Sequence, residues 1–236
     1  MNKQEDRKTL KPIFVVGINR SGTKYLTNFF CNHSQVFGMQ RDRKRSGGAM
    51  ESNMLGGLRS IFRDLSRFDD YAGLVELWSS TDFFKLSGVD KELFYRVDPR
   101  PMDCMELFRT IMEELCRRND AAYWVQKISP FTALGIVPAF RNAKFVVIKR
   151  SISDTIRSQI GAQARREGSR RQGLTKKVFL NILQLKQIKR LRKQGVVAAS
   201  TAYENLRSDA GNEMQRICEA LGIRYEPEML RIQYRP

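Results

Sequence analysis

The chain has 236 residues, 42% of them hydrophobic, which is enough for one sizeable core; 42 Lys and Arg against 25 Asp and Glu give a net charge of +17. No apolar run reaches the roughly 18 residues of a transmembrane helix, and the charged start MNKQEDRKTLKP lacks the apolar core of a signal peptide. The charge excess points to an anionic partner: a phosphorylated cofactor, an acidic glycan, nucleic acid or an anionic membrane.

These features predict one cytoplasmic domain over 1–236, with 1–11 as a flexible tail. The cysteines Cys31, Cys104, Cys116 and Cys218 are widely separated, and His33 is the only histidine. A Cys/His metal cluster is therefore not expected, and the thiols read as buried apolar groups.

In chain order, residues 13–16 form a β-branched and aromatic run that reads as a buried strand, and 17–22 form a glycine loop. A helix is expected over 23–32, with Tyr25, Leu26, Phe29 and Phe30 on one face. Residues 38–60 read as a long surface loop. Short helical stretches follow around 58–65 and 71–78, with a further turn over 82–85 after Ser80 or Thr81. Pro101 opens a better helix, whose Phe108, Ile111, Met112 and Leu115 recur at helical spacing. Asp103 and Glu106 near its start and Arg117 and Arg118 near its end suit the helix dipole. A strand over 122–127 is followed by a short helix over 131–140, ended near Pro138. AKFVVIKR is the clearest strand, and Ser153 or Asp154 can cap the next helix. Residues 165–173 form a basic loop. A long helix spans 174–193, with Phe179, Leu183, Ile188 and Leu191 inward. A strand over 196–201 precedes a last helix with Met214, Ile217, Cys218 and Leu221 on one face and Gly222 at its end. This alternation predicts an α/β fold: a three-layer, P-loop-type architecture with a central, mostly parallel sheet flanked by helices.

The stretch FVVGINRSGTKYL nearly matches the nucleoside-triphosphate loop G-x-x-x-x-G-K-[ST]. Gly17 and Gly22 have the right spacing, but Thr23 and Lys24 stand in reverse order. A glycine loop between strand and helix exposes backbone N–H groups, and the helix start adds partial positive charge, so a phosphate or sulfate group is held there. A triphosphate site would also place a metal-binding Asp at the end of a second strand. Here that strand ends in Lys149 and Arg150. Cations there repel Mg²⁺ and suit an extra phosphate, so a metal-free site for a more anionic nucleotide is expected.

On these residues the chain resembles the P-loop sulfotransferases, which use 3′-phosphoadenosine 5′-phosphosulfate (PAPS). Arg20, Ser21, Gly22 and Thr23 match the family's [KR]-S-G-T motif. Arg150 and Ser158 match a strand-end Arg followed eight residues later by Ser, with Asp154 between them. Tyr203, Glu204 and Leu206 match a late Tyr-Glu-x-Leu segment, and Lys127 matches a Lys ahead of the second motif. Two positions depart from the pattern: Lys24 replaces a hydroxyl residue, and Ile152 replaces a Pro.

The resemblance implies that Arg20 and the N–H groups of Ser21, Gly22, Thr23, Lys24 and Tyr25 hold the 5′-phosphosulfate. It implies that Arg150 and Ser158 hold the 3′-phosphate and that Tyr203 lies near the adenine. The reaction is then an in-line sulfuryl transfer to an acceptor hydroxyl, leaving adenosine 3′,5′-bisphosphate, with no metal. Arg20 and Lys127 are expected to stabilise the spreading negative charge. Glu51, in the flexible segment GGAMESNML, is the expected base; His33 lies at the far end of the first helix.

The expected acceptor is a hydroxyl of a glycan, glycolipid or related molecule, an acidic carbohydrate or lipid among them. Basic clusters at Arg41, Arg43, Lys44 and Arg45, at Arg165, Arg166, Arg170 and Arg171, and along 186–193 suit such an acceptor or peripheral contact with an anionic membrane. A small-molecule or nucleoside kinase and a basic nucleic-acid-binding protein are the competing readings. The second has no RNP-like, zinc-finger or helix-turn-helix motif behind it, so no specific nucleic-acid partner is expected.

Overall fold

A computed structural model describes residues 10–41, 48–62, 64–96, 103–164 and 173–231. The chain opens with strand β1 (Lys11–Val16), helix α1 (Thr23–Cys31) and strand β2 (Val36–Phe37). Strands β3 (Gln40–Arg41) and β4 (Gly48–Ala49) form a small antiparallel pair. A π-helical turn (Met54–Leu58) leads into α2 (Arg59–Ile61), α3 (Phe68–Ser79), α4 (Asp82–Ser87), α5 (Glu92–Tyr95) and α6 (Cys104–Arg118). Then come β5 (Tyr123–Ile128), α7 (Pro130–Ile136), β6 (Lys144–Lys149), α8 (Ile152–Ala164) and α9 (Leu174–Lys193). Strand β7 (Val197–Ala202), α10 (Tyr203–Ser208), α11 (Ala210–Leu221) and a 3-10 turn (Pro227–Leu230) complete the described chain.

The main sheet has the order β2-β5-β1-β6-β7, and every pairing in it is parallel. Strand β1 alternates between the two faces, as the period of a strand requires. Phe14 and Val16 join one core with Trp124, Phe145, Trp78 and Phe108. Ile13 and Val15 join the other with Leu26, Phe30, Met214 and Ile217. Each face is thus sealed by helices, giving the three-layer α/β fold expected from the alternation. Phe14 is fully buried, with the rings of Trp124 and Phe145 each 5.2 Å away. From the central β1 the chain runs to β2 at one edge of the sheet and later reaches β7 at the other. Parallel strands with this reversal of order open a crevice at their C-terminal ends.

Several local expectations are revised. The described part of 38–60, residues 38–41 and 48–60, is not a surface loop: Ala49, Met54, Leu55 and Leu58 are buried, and it holds β3, β4 and the π-turn. The helical stretch expected over 58–65 ends at Ile61. Helix α6 begins at Cys104, where the Asp103 carboxylate accepts from the N–H groups of Met105 and Glu106; Pro101 lies outside the described residues. Helix α8 is capped by Ser151, not by Ser153 or Asp154: its Oγ accepts from the Asp154 N–H at 3.2 Å. Helix α9 has the expected bounds but a different inward face. Phe179 is 60% exposed and Leu183 half-buried, while Asn181 and Gln184 join Ile188 and Leu191 inside. Lys11, placed in a tail by the sequence reading, already belongs to β1; residues 1–9 lie outside the described residues.

Candidate active site

Four parallel strands bring their C-terminal ends to one edge, and each delivers part of the site. β1 leads into the glycine loop, β5 carries Lys127, β6 ends beside Arg150, and β7 runs into Tyr203. Within the loop, a Cβ added at Gly17 would stand 2.8 Å from the Ile148 carbonyl oxygen, so only glycine lets the loop lie against β6. Gly22, at φ 101, turns the chain into α1, and Arg20 also adopts a left-handed conformation at φ 73. The first turn of α1 has no capping side chain and no acidic residue. Its N–H groups therefore remain available to an anion.

The residues expected at the two ends of a nucleotide meet each other. Arg20 Nε donates to Ser158 Oγ at 3.2 Å, and Arg150 Nη1 donates to the Arg20 carbonyl at 3.4 Å. The Arg150 guanidinium lies 4.4 Å over the Tyr203 ring, a cation–π distance, and Tyr203 meets Tyr25 edge-on at 5.8 Å. Arg150 Nε and Ser21 Oγ are buried polar atoms without a hydrogen-bond partner among the described residues. Such atoms cost about 1–3 kcal/mol each when left unpaired.

On the other side of the loop, Lys127 Nζ forms an ion pair with Glu51 Oε1. Glu51 does not sit in a flexible segment. Gln126 Nε2 donates to the Met50 carbonyl at 3.1 Å and Trp78 Nε1 donates to the Ser52 carbonyl at 3.0 Å, so both flanks of Glu51 are pinned. Lys24 packs beneath the β3–β4 pair, where a Cβ added at Gly48 would come within 2.8 Å of Lys24 Cε. Burial, then the fields of Lys127, Arg41 and Arg20, hold the Lys24 ammonium below its ordinary value. Lys24, Lys127, Arg41 and Arg20 therefore form one cationic group.

The sequence reading missed Arg41 as a member of this group; its guanidinium pairs with Asp82 of α4. It also missed Gln159 and Gln184, whose side-chain amides hold the backbone of Asn19, and Asn181, whose amide bonds that of Gln159. The available signal was the pair of amides at 181 and 184, in helical register with Ile188 and Leu191. His33 is structural: its Nδ1 accepts from the Gln35 N–H, so Nε2 carries the proton to the Arg224 carbonyl at 2.8 Å. Burial pushes the thiols of Cys31, Cys116 and Cys218 up to about 12 and that of Cys104 to about 11, which suits packing rather than nucleophilic chemistry. Arg43, Lys44, Arg45, Arg165, Arg166, Arg170 and Arg171 lie outside the described residues.

The model of the sulfotransferase family matches residues 12–227, and the chain belongs to that family. Among solved structures, the chain is similar to the sulfotransferase domain from the curacin biosynthetic pathway. The TM-score is 0.65 at 16% identity, over 96% of this chain and 79% of that one. It is likewise similar to the sulfotransferase domain from the Synechococcus PCC 7002 olefin synthase. There the TM-score is 0.63 at 15% identity, over 100% and 82%. At these identities the structures speak for the shared α/β fold. No curated protein matches the chain by sequence. Family membership makes the chain a sulfotransferase and sets aside the kinase and nucleic-acid-binding readings. Among the described residues, no helix is long and apolar enough to cross a membrane.

Proposed function

We propose that the chain works as a single domain that moves a sulfuryl group from PAPS to a hydroxyl of a glycan, glycolipid or related acceptor. One observation carries the donor assignment: Arg20 of the glycine loop and Ser158 and Arg150 of the β6–α8 segment form one connected set, reaching Tyr203 at its far side. The residues present fit a donor with a phosphate at each end. Arg150 Nε is a buried donor awaiting an acceptor, and the uncapped start of α1 offers a second anion position.

When bound, PAPS supplies the activated sulfuryl group and leaves as adenosine 3′,5′-bisphosphate. Arg150 and Ser158 hold its 3′-phosphate, and Tyr203, sandwiched between Arg150 and Tyr25, borders the adenine. Arg20 and the N–H groups of Gly22, Thr23, Lys24 and Tyr25 hold the 5′ end, with the Lys24 ammonium adding charge where the family has a hydroxyl; the Ser21 N–H, expected among them, donates instead to the Ile18 carbonyl at 3.0 Å. Glu51 takes the acceptor proton. Lys127 occupies Glu51 Oε1, so Oε2 is the atom that receives it. Arg20 and Lys127 then face the charge that spreads during in-line transfer, the side-chain counterpart of a metal clamp. The exposed Lys186, Lys189, Arg190 and Lys193 of α9 support an acidic or membrane-presented acceptor through their charge.

Calorimetric titration tests the donor assignment. The protein should bind adenosine 3′,5′-bisphosphate more tightly than ATP–Mg²⁺. Arg150→Ala should weaken the bisphosphate about tenfold or more, since hydrogen bonds to charged groups contribute roughly 1.5–3 kcal/mol. A preference for ATP–Mg²⁺ that survives Arg150→Ala would sink the assignment.

A further inference from the structure

We infer that Gln159, Asn181 and Gln184 form a positioning device for the donor loop: Gln159 and Gln184 grip the backbone of Asn19 and Asn181 braces Gln159, so that the loop moves as one unit with α8 and α9. The inference rests on the donor assignment above. The Asn19 N–H donates to Gln184 Oε1 at 3.4 Å, and Gln159 Nε2 donates to the Asn19 carbonyl at 2.9 Å. Gln159 Nε2 also donates to Asn181 Oδ1 at 3.0 Å, and Asn181 Nδ2 returns a bond to Gln159 Oε1 at 3.4 Å. Both polar groups of one loop residue are therefore held by side chains from two helices, and Asn181 links the two helices to each other.

The neighbouring residue is held from the same side. Ser158, next to Gln159 on α8, accepts from Arg20 Nε, and Arg150 donates to the Arg20 carbonyl. Four contacts from the β6–α8–α9 segment thus converge on residues 19 and 20. The loop needs such a hold, because a non-glycine residue in the left-handed region costs roughly 1–2 kcal/mol and Arg20 sits there at φ 73.

Asn181 and Gln184 are 3% and 7% exposed, so their amides are committed to the protein interior rather than displayed to a ligand. Their influence on the donor passes through the loop. The 3′-side residues Arg150 and Ser158 and the 5′-side loop are consequently one mechanical unit, although the two sides lie 130 or more residues apart in sequence.

The test uses Gln159→Met and Gln184→Met, which keep side-chain length and remove the amide, with Ser158→Ala as the contrasting variant. Two quantities are read in the intact protein. One is calorimetric affinity for adenosine 3′,5′-bisphosphate and for 5′-AMP, which lacks the 3′-phosphate. The other is amide hydrogen exchange across 17–24 without ligand, with melting temperature followed separately. Each Met variant should weaken both nucleotides by about 3–10-fold, the usual worth of one hydrogen bond, and should speed exchange in the loop. Ser158→Ala should weaken the bisphosphate more than 5′-AMP, because it removes a 3′-phosphate contact as well as one of the four loop contacts. Unchanged loop exchange in stable Met variants would overturn the inference, and so would a loss confined to the bisphosphate, which would make the amides 3′-phosphate contacts. If the unmodified protein bound neither nucleotide, the donor assignment would fall, while the exchange data would still decide whether the amides hold the loop.

Discussion

At the N-terminal end of the sheet, Lys11, Arg141 and Lys144 line a cleft of about 330 Å³ floored by Ile13, Leu221 and Ile223, and none of its lining side chains is acidic. At the C-terminal end, Arg20, Lys24, Lys127 and Arg150 gather around the glycine loop. Both ends are basic. They differ in how the charge is mounted. The N-terminal cations are exposed side chains at strand starts and a turn. The C-terminal ones are tied to left-handed backbone, an uncapped helix start and buried polar atoms that have no partner among the described residues. The lesson is that cavity volume and positive charge do not define an anion site. Preorganised backbone donors and charges that have already lost part of their water do.

The largest effects should therefore follow from substitutions at the C-terminal end. Glu51→Gln removes the group assigned to the acceptor proton and should slow turnover by about 10²–10⁴-fold. Arg20→Ala removes a charge aimed at the transferring group and should cost about 10²–10³-fold. Lys144→Ala, at the N-terminal end, should leave turnover unchanged. All three should melt near the parent protein, because these side chains are exposed or partly exposed. Steady-state rates with PAPS beside thermal melts check the set. Equal losses at both ends would break the contrast, and full turnover in Glu51→Gln would remove the assigned base.

A smaller effect is expected from the loop glycine. Gly22 and Gly195 both have positive φ, 101 and 70. Gly195 lies in the turn before β7, at the N-terminal end, and a Cβ there would meet nothing within 4 Å. A Cβ at Gly22 would stand 2.5 Å from Tyr203 Cδ2 and 3.1 Å from Ile148 Cδ1. Gly195→Ala should cost only the backbone term, about 1–2 kcal/mol. Gly22→Ala adds displacement of Tyr203 and should approach the upper part of the roughly 1–3 kcal/mol range for strained sites, with weaker nucleotide binding besides. Chemical denaturation of the two variants gives the difference directly; equal losses would mean Tyr203 does not pack on the loop.

The glycine loop, the strand alternation and the bounds of α9 could be read from residue type and spacing because they are local. What escaped the sequence is what tertiary partners decide. Phe179 was expected inward on hydrophobicity, yet α9 turns Asn181 and Gln184 inward because Gln159 and the Asn19 peptide provide partners there. The pinning of Glu51 depends on Gln126 and Trp78, residues far along the chain, and no spacing rule joins them. The cap of α8 is legible in the sequence: SISD has the Ser-x-x-acid shape of a capping box, and Ser151 Oγ accepts from the Asp154 N–H. Within 38–60, paired glycines and clustered charge suggest a loop, whereas Met54, Leu55 and Leu58 of the described part reach the core from a π-turn.

The smallest predicted effect concerns the proton on Lys24. Its ammonium is partly buried and stands in the fields of Lys127, Arg41 and Arg20, so it loses its proton more readily than an ordinary lysine at 10.5. The unfolded chain therefore binds more protons than the folded one over the interval just below 10.5, and by linkage the Lys24 contribution to stability rises with pH there. Lys24→Met should flatten that rise and slightly raise stability at neutral pH, where the unmodified cationic group repels itself. Solvent screening keeps the effect small, because Lys24 is not fully enclosed. A bound dianion should act in the same direction by returning the ammonium towards its ordinary value, so saturating adenosine 3′,5′-bisphosphate should also flatten the slope. Denaturation curves from neutral to alkaline pH, with and without the nucleotide and in both proteins, separate these contributions. A slope that Lys24→Met leaves untouched would show that the four cations do not share one field, and the contrast between the two ends of the sheet would then rest on backbone geometry alone.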